Sequence, residues 1–300
     1  MTSKRYLGGD IGGTASRFCL VDQTGAVLSE GKASGATALI FTPDIREALD
    51  KAIGEVGNAI AGPVHGAAFG LTGYGARARD EIVAIIRSHI DIASENIFIS
   101  DDIELAYRSL FAPGTGHLVS AGTGSIAIHL DTGGNLLRIG GRGTLIDDAG
   151  SGAWIALAAL RALYRRLDET GTPGDMSVLA GALYAAAGGG DWSDIRAYIY
   201  SGDRGKIGAL SKAVGEAAKA GDPFALMLMQ QAGEELARLG NILIKRCGNH
   251  PVAFIGGVLG LSPIIRETIS KTLNGEASFP RLDQAKGAAE LARSIFSEEF

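Results

Sequence analysis

The stretch GTASRFCLVDQTGAVL, residues 13–28, recurs in altered form as GTGSIAIHLDTGGNLL, residues 122–137. The two stretches align without a gap at an offset of 109 and share six identities in sixteen positions. Each contains small residues with a hydroxyl, a β-rich run, a turn signal of Asp and Gly, and a second apolar run, which together indicate a β-hairpin. Two unrelated hairpins in a glycine-rich chain can look alike, but the gapless match favours a duplicated lobe.

The composition is typical of a globular protein. A length of 300 residues suggests about two domains, and 46% hydrophobic with 20% charged residues argues against disorder. The 44 glycines indicate many tight turns and places where a ligand can approach the backbone. The net charge of −5 gives no electrostatic reason to expect a nucleic acid or an anionic membrane surface as a partner.

Several other classes of protein are disfavoured by the sequence. Asp10 interrupts the apolar core that an export signal would need, and the long uncharged stretches 111–130 and 247–265 contain glycine, proline and histidine, unlike membrane spans. Cys19 and Cys247 form neither a disulfide framework nor a CxxC pair, and the five histidines lack metal-ligand spacing. We therefore expect a cytoplasmic protein with both thiols in the core, and a homodimer is compatible with the sequence.

Alternating strand and helix patterns predict an α/β fold class. Strands are predicted at 6–9, 18–21, 27–30, 64–71 and 96–100, with helices near 43–61 and 76–90. The pattern restarts at 117, becomes strongly helical over about 150–246, and continues with a strand at 252–258 and helices at 262–273 and 285–296. We place an N-terminal lobe at 1–112 and a C-terminal lobe with a helical insertion at 113–283. A last helix, about 284–300, is a candidate to pack back on the first lobe.

The turn in GGDIGGTAS, residues 8–16, has the composition of a phosphate-binding loop. Exposed backbone N–H groups at Gly12 and Gly13, with the hydroxyl of Thr14, suit phosphate oxygens. A carboxylate beside a phosphate is repelled unless a cation lies between them, so Asp10 suggests Mg²⁺. An ordinary glycine turn with a solvated Asp10 is the alternative that these residues leave open.

Two further glycine elements strengthen the nucleotide interpretation. The stretch SAGTGSIAI, residues 120–128, repeats the first loop, and FIGGVLG, residues 254–260, follows a strand and precedes a helix. The residues expected to bind ATP here are Gly122, Thr123, Gly124, Ser125, Gly256 and Gly257. One loop from each lobe would hold a polyphosphate from two sides. The sequence contains neither the GxxxxGK[ST] motif of a P-loop enzyme nor the GxSxG motif of a serine hydrolase, which disfavours both classes.

With these motifs the chain resembles the superfamily of sugar kinases, heat-shock protein 70 and actin. It is most similar to the N-acetylglucosamine kinase branch of the BadF/BadG/BcrA/BcrD ATPase group. The resemblance covers DIGGT at 10–14, ISDDIELA at 99–106, SAGTGS at 120–125, GGRGTLIDDAGSGAWI at 140–155 and IGGV at 255–258. It implies two ribonuclease-H-like lobes with an interlobe cleft for ATP and Mg²⁺, and transfer of the γ-phosphoryl group to a sugar hydroxyl.

Phosphoryl transfer needs a carboxylate to accept the proton of the attacking hydroxyl. The candidates are adjacent in NIFISDDIELAYRSL, residues 96–110. Asp101 and Glu104 have the spacing of a capping box, which predicts that Asp101 is a helix N-cap. Asp102 matches the family's catalytic aspartate, and a helix N-terminus would help to keep it ionised. A second acid at the helix start, without a catalytic role, is the alternative.

The sugar site is assigned through the resemblance, and its match is incomplete. Asp148 occupies the position of the acid that holds sugar hydroxyls, with Gly143 in the same loop, and Thr72 and Gly73 are candidates to border the pocket or to form an ordinary turn. The family usually has Trp, Gly and Glu where this chain has Arg142, Asp147 and Ala149, and its eukaryotic members have Asn where this chain has small residues around Ala36. N-acetylglucosamine is therefore the expected acceptor by family, with glucosamine or another hexose as the alternative.

Two other functional classes stay open at this point. An ATPase activator of the same group couples hydrolysis to electron transfer through an iron–sulfur cluster and needs suitably placed cysteines. Cys19 in mid-strand and Cys247 after a long helix disfavour it. A nucleotide or sugar sensor could keep the phosphate loops without the base, but Asp102 is present.

Overall fold

The computed structural model describes residues 3–202 and 204–297. Contacts within the chain divide it into two units, Met1–Ala112 with Leu282–Phe300, and Pro113–Arg281. Each unit contains one five-stranded sheet with helices packed on it, which confirms the predicted α/β fold class. Residues 1–2 of the predicted first lobe and 298–300 of the predicted last helix lie outside the described residues.

The sheet of the first unit combines an antiparallel hairpin with parallel strands. Its strands are β1 (Arg5–Ile11), β2 (Ala15–Asp22), β3 (Val27–Ser34), β4 (Gly66–Leu71) and β5 (Ile97–Ser100). Its first three helices are α1 (Pro43–Ala59), α2 (Arg79–His89) and α3 (Asp102–Arg108). The strand order is β3-β2-β1-β4-β5, with β1, β4 and β5 parallel and β2 antiparallel to both neighbours.

Both faces of this sheet are buried. All six residues of β4, GAAFGL, are buried, as is typical of a parallel strand covered on both sides. In β1, Leu7 joins the core formed with α1 and α2, whereas its neighbour Tyr6 joins a second cluster on the opposite face. The alternation of side chains along a strand therefore gives this unit two hydrophobic layers.

The sheet of the second unit has a larger helical part attached. Its strands are β6 (His117–Ala121), β7 (Ser125–Leu130), β8 (Leu136–Gly140), β9 (Val252–Ile255) and β10 (Ala277–Ser278). Its helices are α4 (Gly152–Thr170), α5 (Ser177–Ala187), α6 (Trp192–Tyr200), α7 (Arg204–Ala209), α8 (Ser211–Lys219), α9 (Pro223–Cys247) and α10 (Pro263–Thr272). The strand order is β10-β9-β6-β7-β8, with β6, β9 and β10 parallel.

The two sheets share one topology, so the duplication predicted from the hairpin repeat extends to whole sheets. The residues shared by the two stretches shape their turns. Asp22 Oδ1 accepts hydrogen bonds from the backbone of Thr24 at 2.8 Å and Ala26 at 3.0 Å, and Asp131 Oδ1 accepts one from Asn135 at 2.8 Å. The matching glycines that follow have φ of +87° and +81°, a region that favours glycine.

The C-terminal helix α11 (Gln284–Phe296) packs on β1, β2 and β4 of the first unit. Its buried face consists of alanines spaced for one side of a helix, Ala285, Ala288, Ala289 and Ala292. Gly8 of β1 allows a close approach, since a Cβ there would lie 2.0 Å from the Ala285 carbonyl oxygen. Small residues on both sides therefore bring the helix backbone onto the strand.

Two expectations about cysteines and membranes can be compared with the fold. Cys19 is buried within β2, as predicted, while Cys247 is half-buried at the end of α9. Within residues 3–202 and 204–297, no helix combines the length and the apolar character needed to cross a membrane.

Three histidines that lack metal-ligand spacing in the sequence lie together at one end of the second sheet. The ring centroids of His117 and His129 lie 4.9 Å apart, and those of His117 and His250 lie 5.4 Å apart. His117 is fully buried, with Nε2 2.9 Å from the Gly248 carbonyl oxygen and Nδ1 without a hydrogen-bond partner in the described part of the chain. Burial is the main cause that lowers the pKa of His117 below 6.5, and the two other imidazoles add to it.

We expect this cluster to make the protein less stable as the pH falls below about 6.5. Because the folded state holds His117 neutral to a lower pH than the unfolded chain does, the unfolded chain binds the extra proton in that window. One such histidine lowers the free energy of unfolding by at most about 1.4 kcal/mol per pH unit. Urea unfolding at pH 5, 6, 7 and 8 measures the slope, and His117→Gln should flatten it. An equal slope in both proteins would contradict the assignment.

Candidate active site

The predicted site residues of the first unit converge on one edge of its sheet. Because β1, β4 and β5 are parallel, the segments that follow them lie at the same edge. The first loop follows β1, Thr72 and Gly73 follow β4, and Asp101 and Asp102 follow β5. The fold therefore brings together residues that lie far apart in the sequence.

Asp101 and Asp102 have different roles. Asp101 is the N-cap of α3, as predicted, and its Oδ1 accepts a hydrogen bond from Ile103 N at 3.2 Å. Glu104, the predicted partner of the capping box, accepts a hydrogen bond from Arg108 Nε at 2.8 Å. Asp102 Oδ2 accepts a hydrogen bond from the Thr72 hydroxyl at 2.7 Å. Thr72, which the sequence suggests for sugar binding, thus directly contacts the candidate base.

Asp10 lies in an environment that disfavours its negative charge. Burial and then the nearby Asp102 raise the pKa of Asp10 from 3.8 to about 6, Asp283 adds to this, and Arg17 opposes it. A cation would relieve the repulsion between these carboxylates. Among the described residues, no group of three or more His, Cys, Asp and Glu side chains could hold a metal ion. This is compatible with Mg²⁺, which is usually bound by one or two carboxylates together with substrate phosphates and water.

The first loop is held by the segment that contains Ala36. Gly12 O accepts a hydrogen bond from Ala36 N at 3.0 Å, while Gly13 and Thr14 are exposed. A Cβ on Gly13 would make only an ordinary contact, 3.6 Å from the Thr37 methyl group. Packing within the described protein therefore does not require glycine at residue 13.

The second loop is fixed against the start of α4. Gly122 O accepts a hydrogen bond from Gly152 N at 2.9 Å, and Thr123 O accepts one from Ala153 N at 3.1 Å. The buried Ser125 hydroxyl donates to the Ala149 carbonyl oxygen at 2.7 Å. The side chain of Ser125 is thus engaged within the protein, where it holds the loop rather than facing solvent.

Asp148 is a buried carboxylate with unused hydrogen-bonding capacity. Its Oδ1 accepts a hydrogen bond from Gly143 N at 3.0 Å, whereas Oδ2 has no hydrogen-bond partner among the described residues. Arg204 Nη1 lies 3.9 Å from Oδ2, which is a charge contact but too long for a hydrogen bond. A Cβ on Gly124 would lie 2.7 Å from the same oxygen. The structure therefore brings Gly143 and Asp148 beside Gly124 of the second loop.

Asp147, one of the residues that depart from the family pattern, holds this loop together through its side chain. Asp147 Oδ1 accepts a hydrogen bond from Ala149 N at 3.2 Å, and Asp147 Oδ2 lies 3.9 Å from Arg238 Nη2. Arg142 N donates to the Asp147 carbonyl oxygen at 3.3 Å. Arg142 and Ala149 take part in these contacts through their backbone N–H groups, and the side chain of Asp148 does not take part in them.

The third glycine element lies at the same edge as the second loop, because β9 is parallel to β6. Gly256 has φ of +109°, and a Cβ there would lie 2.2 Å from the Ala121 carbonyl oxygen. In contrast, among the described residues other than its chain neighbours, no heavy atom lies within 4 Å of the position that a Cβ would take on Gly257 or on Gly122. Folding therefore requires glycine at 256, whereas packing does not require it at 257 or 122.

Sequence reasoning missed one side chain at the first edge. The Gln284 amide faces Asp10, and the orientation that satisfies both groups has its nitrogen donating to Oδ1 at 2.9 Å and to Oδ2 at 3.0 Å. No local signal could have indicated this contact, because it depends on where α11 docks.

Comparison with known proteins finds a match to an ATPase family and similarity to proteins named as sugar kinases. A family model described as the BadF/BadG/BcrA/BcrD ATPase family matches residues 7–292. The N-acetylmuramic acid/N-acetylglucosamine kinase of Clostridium acetobutylicum is 26% identical over 211 residues, which are 66% of this chain and 67% of that protein.

Solved structures show the same fold. A candidate N-acetylglucosamine kinase from Chromobacterium violaceum is 24% identical with a TM-score of 0.71, and the match covers 97% of this chain and 100% of that chain. A ROK family glucokinase from Streptomyces griseus, solved with glucose and AMPPNP, is 19% identical with a TM-score of 0.56 over 97% of this chain and 99% of that chain. The expected sugar-kinase fold, shared with actin-like ATPases, is therefore confirmed.

Proposed function

This chain belongs to the BadF/BadG/BcrA/BcrD ATPase family, and we propose that it is an ATP-dependent kinase that phosphorylates a hydroxyl of N-acetylglucosamine. The observation that carries the proposal is the pairing of Asp102 with Thr72, at 2.7 Å, on the sheet edge that also holds Asp10. Phosphoryl transfer to a hydroxyl requires a positioned base beside a carboxylate that can hold a cation. The sugar kinases similar to this chain support the assignment.

Asp102 is the proposed general base. Its Oδ2 is oriented by the Thr72 hydroxyl, and the carboxylate accepts the proton of the sugar hydroxyl as that oxygen attacks the γ-phosphorus of ATP. The bond from the γ-phosphorus to the bridging oxygen breaks, and ADP leaves with the electron pair. Positioning of this kind lowers the activation barrier, because the base is already held in the geometry that the reaction requires.

The glycine elements are proposed to bind the phosphates of ATP. In the first unit these are Gly12, Gly13 and Thr14, and in the second unit they are Gly122, Thr123, Gly124, Gly256 and Gly257. The hydroxyl of Ser125, which the sequence also suggests, instead holds the second loop through the Ala149 carbonyl oxygen. Within the described residues the space beside Gly122 and Gly257 is open, and a Cβ on Gly13 would make only an ordinary contact. This supports the role, because packing does not explain why glycine stands at these three positions. Mg²⁺, held at Asp10, would neutralise charge on the phosphates.

Asp148 is proposed to bind the sugar through Oδ2. A buried carboxylate oxygen without a hydrogen-bond partner is costly, and a sugar hydroxyl would satisfy it. Gly143, whose N–H holds the other oxygen at 3.0 Å, fixes the orientation of the carboxylate. Gly73 stays a candidate lining residue, next to Thr72.

Steady-state formation of ADP with Mg²⁺ tests the function. We expect turnover that depends on N-acetylglucosamine and is absent without sugar, measured against a panel of glucosamine, glucose and other hexoses. Turnover that requires glucosamine or a hexose instead would support a sugar kinase whose acceptor is not N-acetylglucosamine. Sugar-independent hydrolysis would favour an ATPase activator, and nucleotide binding without turnover would favour a sensor. A cytoplasmic location and a homodimer stay predictions.

Replacing Thr72 by Val separates the two roles considered for this residue. If Thr72 orients the base, kcat should fall on the order of tenfold while KM for the sugar changes little, since one hydrogen bond to a charged group is lost. Thr72→Ser keeps the hydroxyl and should restore most of the rate. A raised KM for the sugar at unchanged kcat would assign Thr72 to substrate binding instead.

A further inference from the structure

The C-terminal helix brings one polar side chain into the first unit's catalytic edge. Helix α11 begins at Gln284, directly after its N-cap Asp283, whose side chain accepts a hydrogen bond from Lys286 N at 3.1 Å. The helix is seated on β1 by the contact of Ala285 with Gly8. The cap residue Asp283 and the contact residue Ala285 lie on either side of Gln284 in the chain. They therefore fix the position of the Gln284 backbone.

The Gln284 amide makes a two-pronged contact with Asp10. In the amide orientation that satisfies both groups, its nitrogen donates to both carboxylate oxygens, at 2.9 and 3.0 Å. A neutral amide can orient a carboxylate in this way without cancelling its charge, whereas Lys or Arg at the same place would compete with a cation. The donor is also valuable because Asp10 is close enough to Asp102 and Asp283 to be destabilised by their charges.

We propose that Gln284 is a positioning residue that orients the Asp10 carboxylate for Mg²⁺, so that the C-terminal helix is part of the catalytic apparatus. The inference rests on the proposed function, because it takes Asp10 as the carboxylate that binds the metal. Groups that orient metal ligands through hydrogen bonds commonly change metal affinity by 10- to 100-fold when removed.

Binding of Mn²⁺ to the protein in the presence of ADP tests this positioning role without turnover. The binding is measured as the decrease in the electron paramagnetic resonance signal of free Mn²⁺. We expect Gln284→Leu and Gln284→Ala to weaken Mn²⁺ binding on the order of tenfold or more. Two variants are used so that a folding defect in one leaves the other to be measured, and thermal unfolding without metal checks both. A purely structural role would lower the melting temperature and leave Mn²⁺ affinity unchanged.

Gln230 provides a matched control, since its Nε2 donates to the Glu234 carboxylate at 2.9 Å on the surface of α9. Gln230→Leu should bind Mn²⁺ as the wild type does. The positioning role of Gln284 would be overturned if the wild type and both Gln284 variants bound Mn²⁺ with equal affinity. It would also be overturned if Gln230→Leu lost as much Mn²⁺ affinity as they do. Neither result would contradict the proposed kinase function. If the wild type with ADP bound no Mn²⁺, the assignment of Asp10 to the metal would fail as well.

Discussion

Asp102→Asn is expected to lower kcat for sugar phosphorylation by about 10²- to 10⁴-fold, the range associated with a positioned general base. The amide has nearly the same shape and can still contact the Thr72 hydroxyl at the place where Oδ2 now lies 2.7 Å away. It cannot accept a proton from the substrate. The loss should therefore appear in kcat, with KM for ATP and for the sugar changed much less.

The neighbouring acid supplies the control. Asp101→Asn makes the same chemical change one residue earlier, at the N-cap of α3, where Asn is as good a cap as Asp. We expect it to keep most of the activity and stability. Comparable losses in the two variants would show that the rate depends on the start of α3 as a whole and would remove the case for Asp102 as the base.

Gly256→Ala is expected to cost about 3 kcal/mol or more in the free energy of unfolding. A residue other than glycine is strained at φ of +109°, and the new Cβ would collide with the Ala121 carbonyl oxygen, 2.2 Å away. Either β9 or β6 must then move, and the two strands are paired in the centre of the second sheet. Chemical denaturation followed by circular dichroism measures the loss.

Gly257→Ala is the matched comparison, because in the described part of the chain, apart from its chain neighbours, no heavy atom lies within 4 Å of its new Cβ. Its free energy of unfolding should stay within about 1 kcal/mol of the wild type. If the backbone of Gly257 lies against the nucleotide, KM for ATP should rise on the order of tenfold, about 1.4 kcal/mol of binding free energy. A variant with unchanged stability and unchanged KM would exclude Gly257 from the ATP site.

Sequence signals were sufficient where the physical cause is local. The hairpin repeat predicted two similar sheets because Asp22 and Asp131 each bind the backbone of their own turn. Asp101 was predictable as a helix cap because its partner, Ile103, is two residues away. The α/β class followed from the same local periodicities, and the glycine loops could be located because each directly follows a strand.

Tertiary structure decided which of these residues meet. Parallel strands bring their ends to one edge, so Thr72 lies beside Asp102. The docking of α11 places Gln284 against Asp10. Three histidines without metal-ligand spacing meet because β6, β7 and the segment before β9 are adjacent.

The sequence by itself therefore determined the class of fold and the duplicated loops, since each depends on neighbours within a few residues, whereas the candidate base Asp102 came from the resemblance to the family. Only the tertiary structure decided the partners of those residues: the donors to Asp102 and Asp10, the Asp148 oxygen that has no hydrogen-bond partner among the described residues, and which glycines the fold requires. Hydrogen bonds and close contacts between distant segments depend on sheet register and helix docking, and neither leaves a local pattern in the chain.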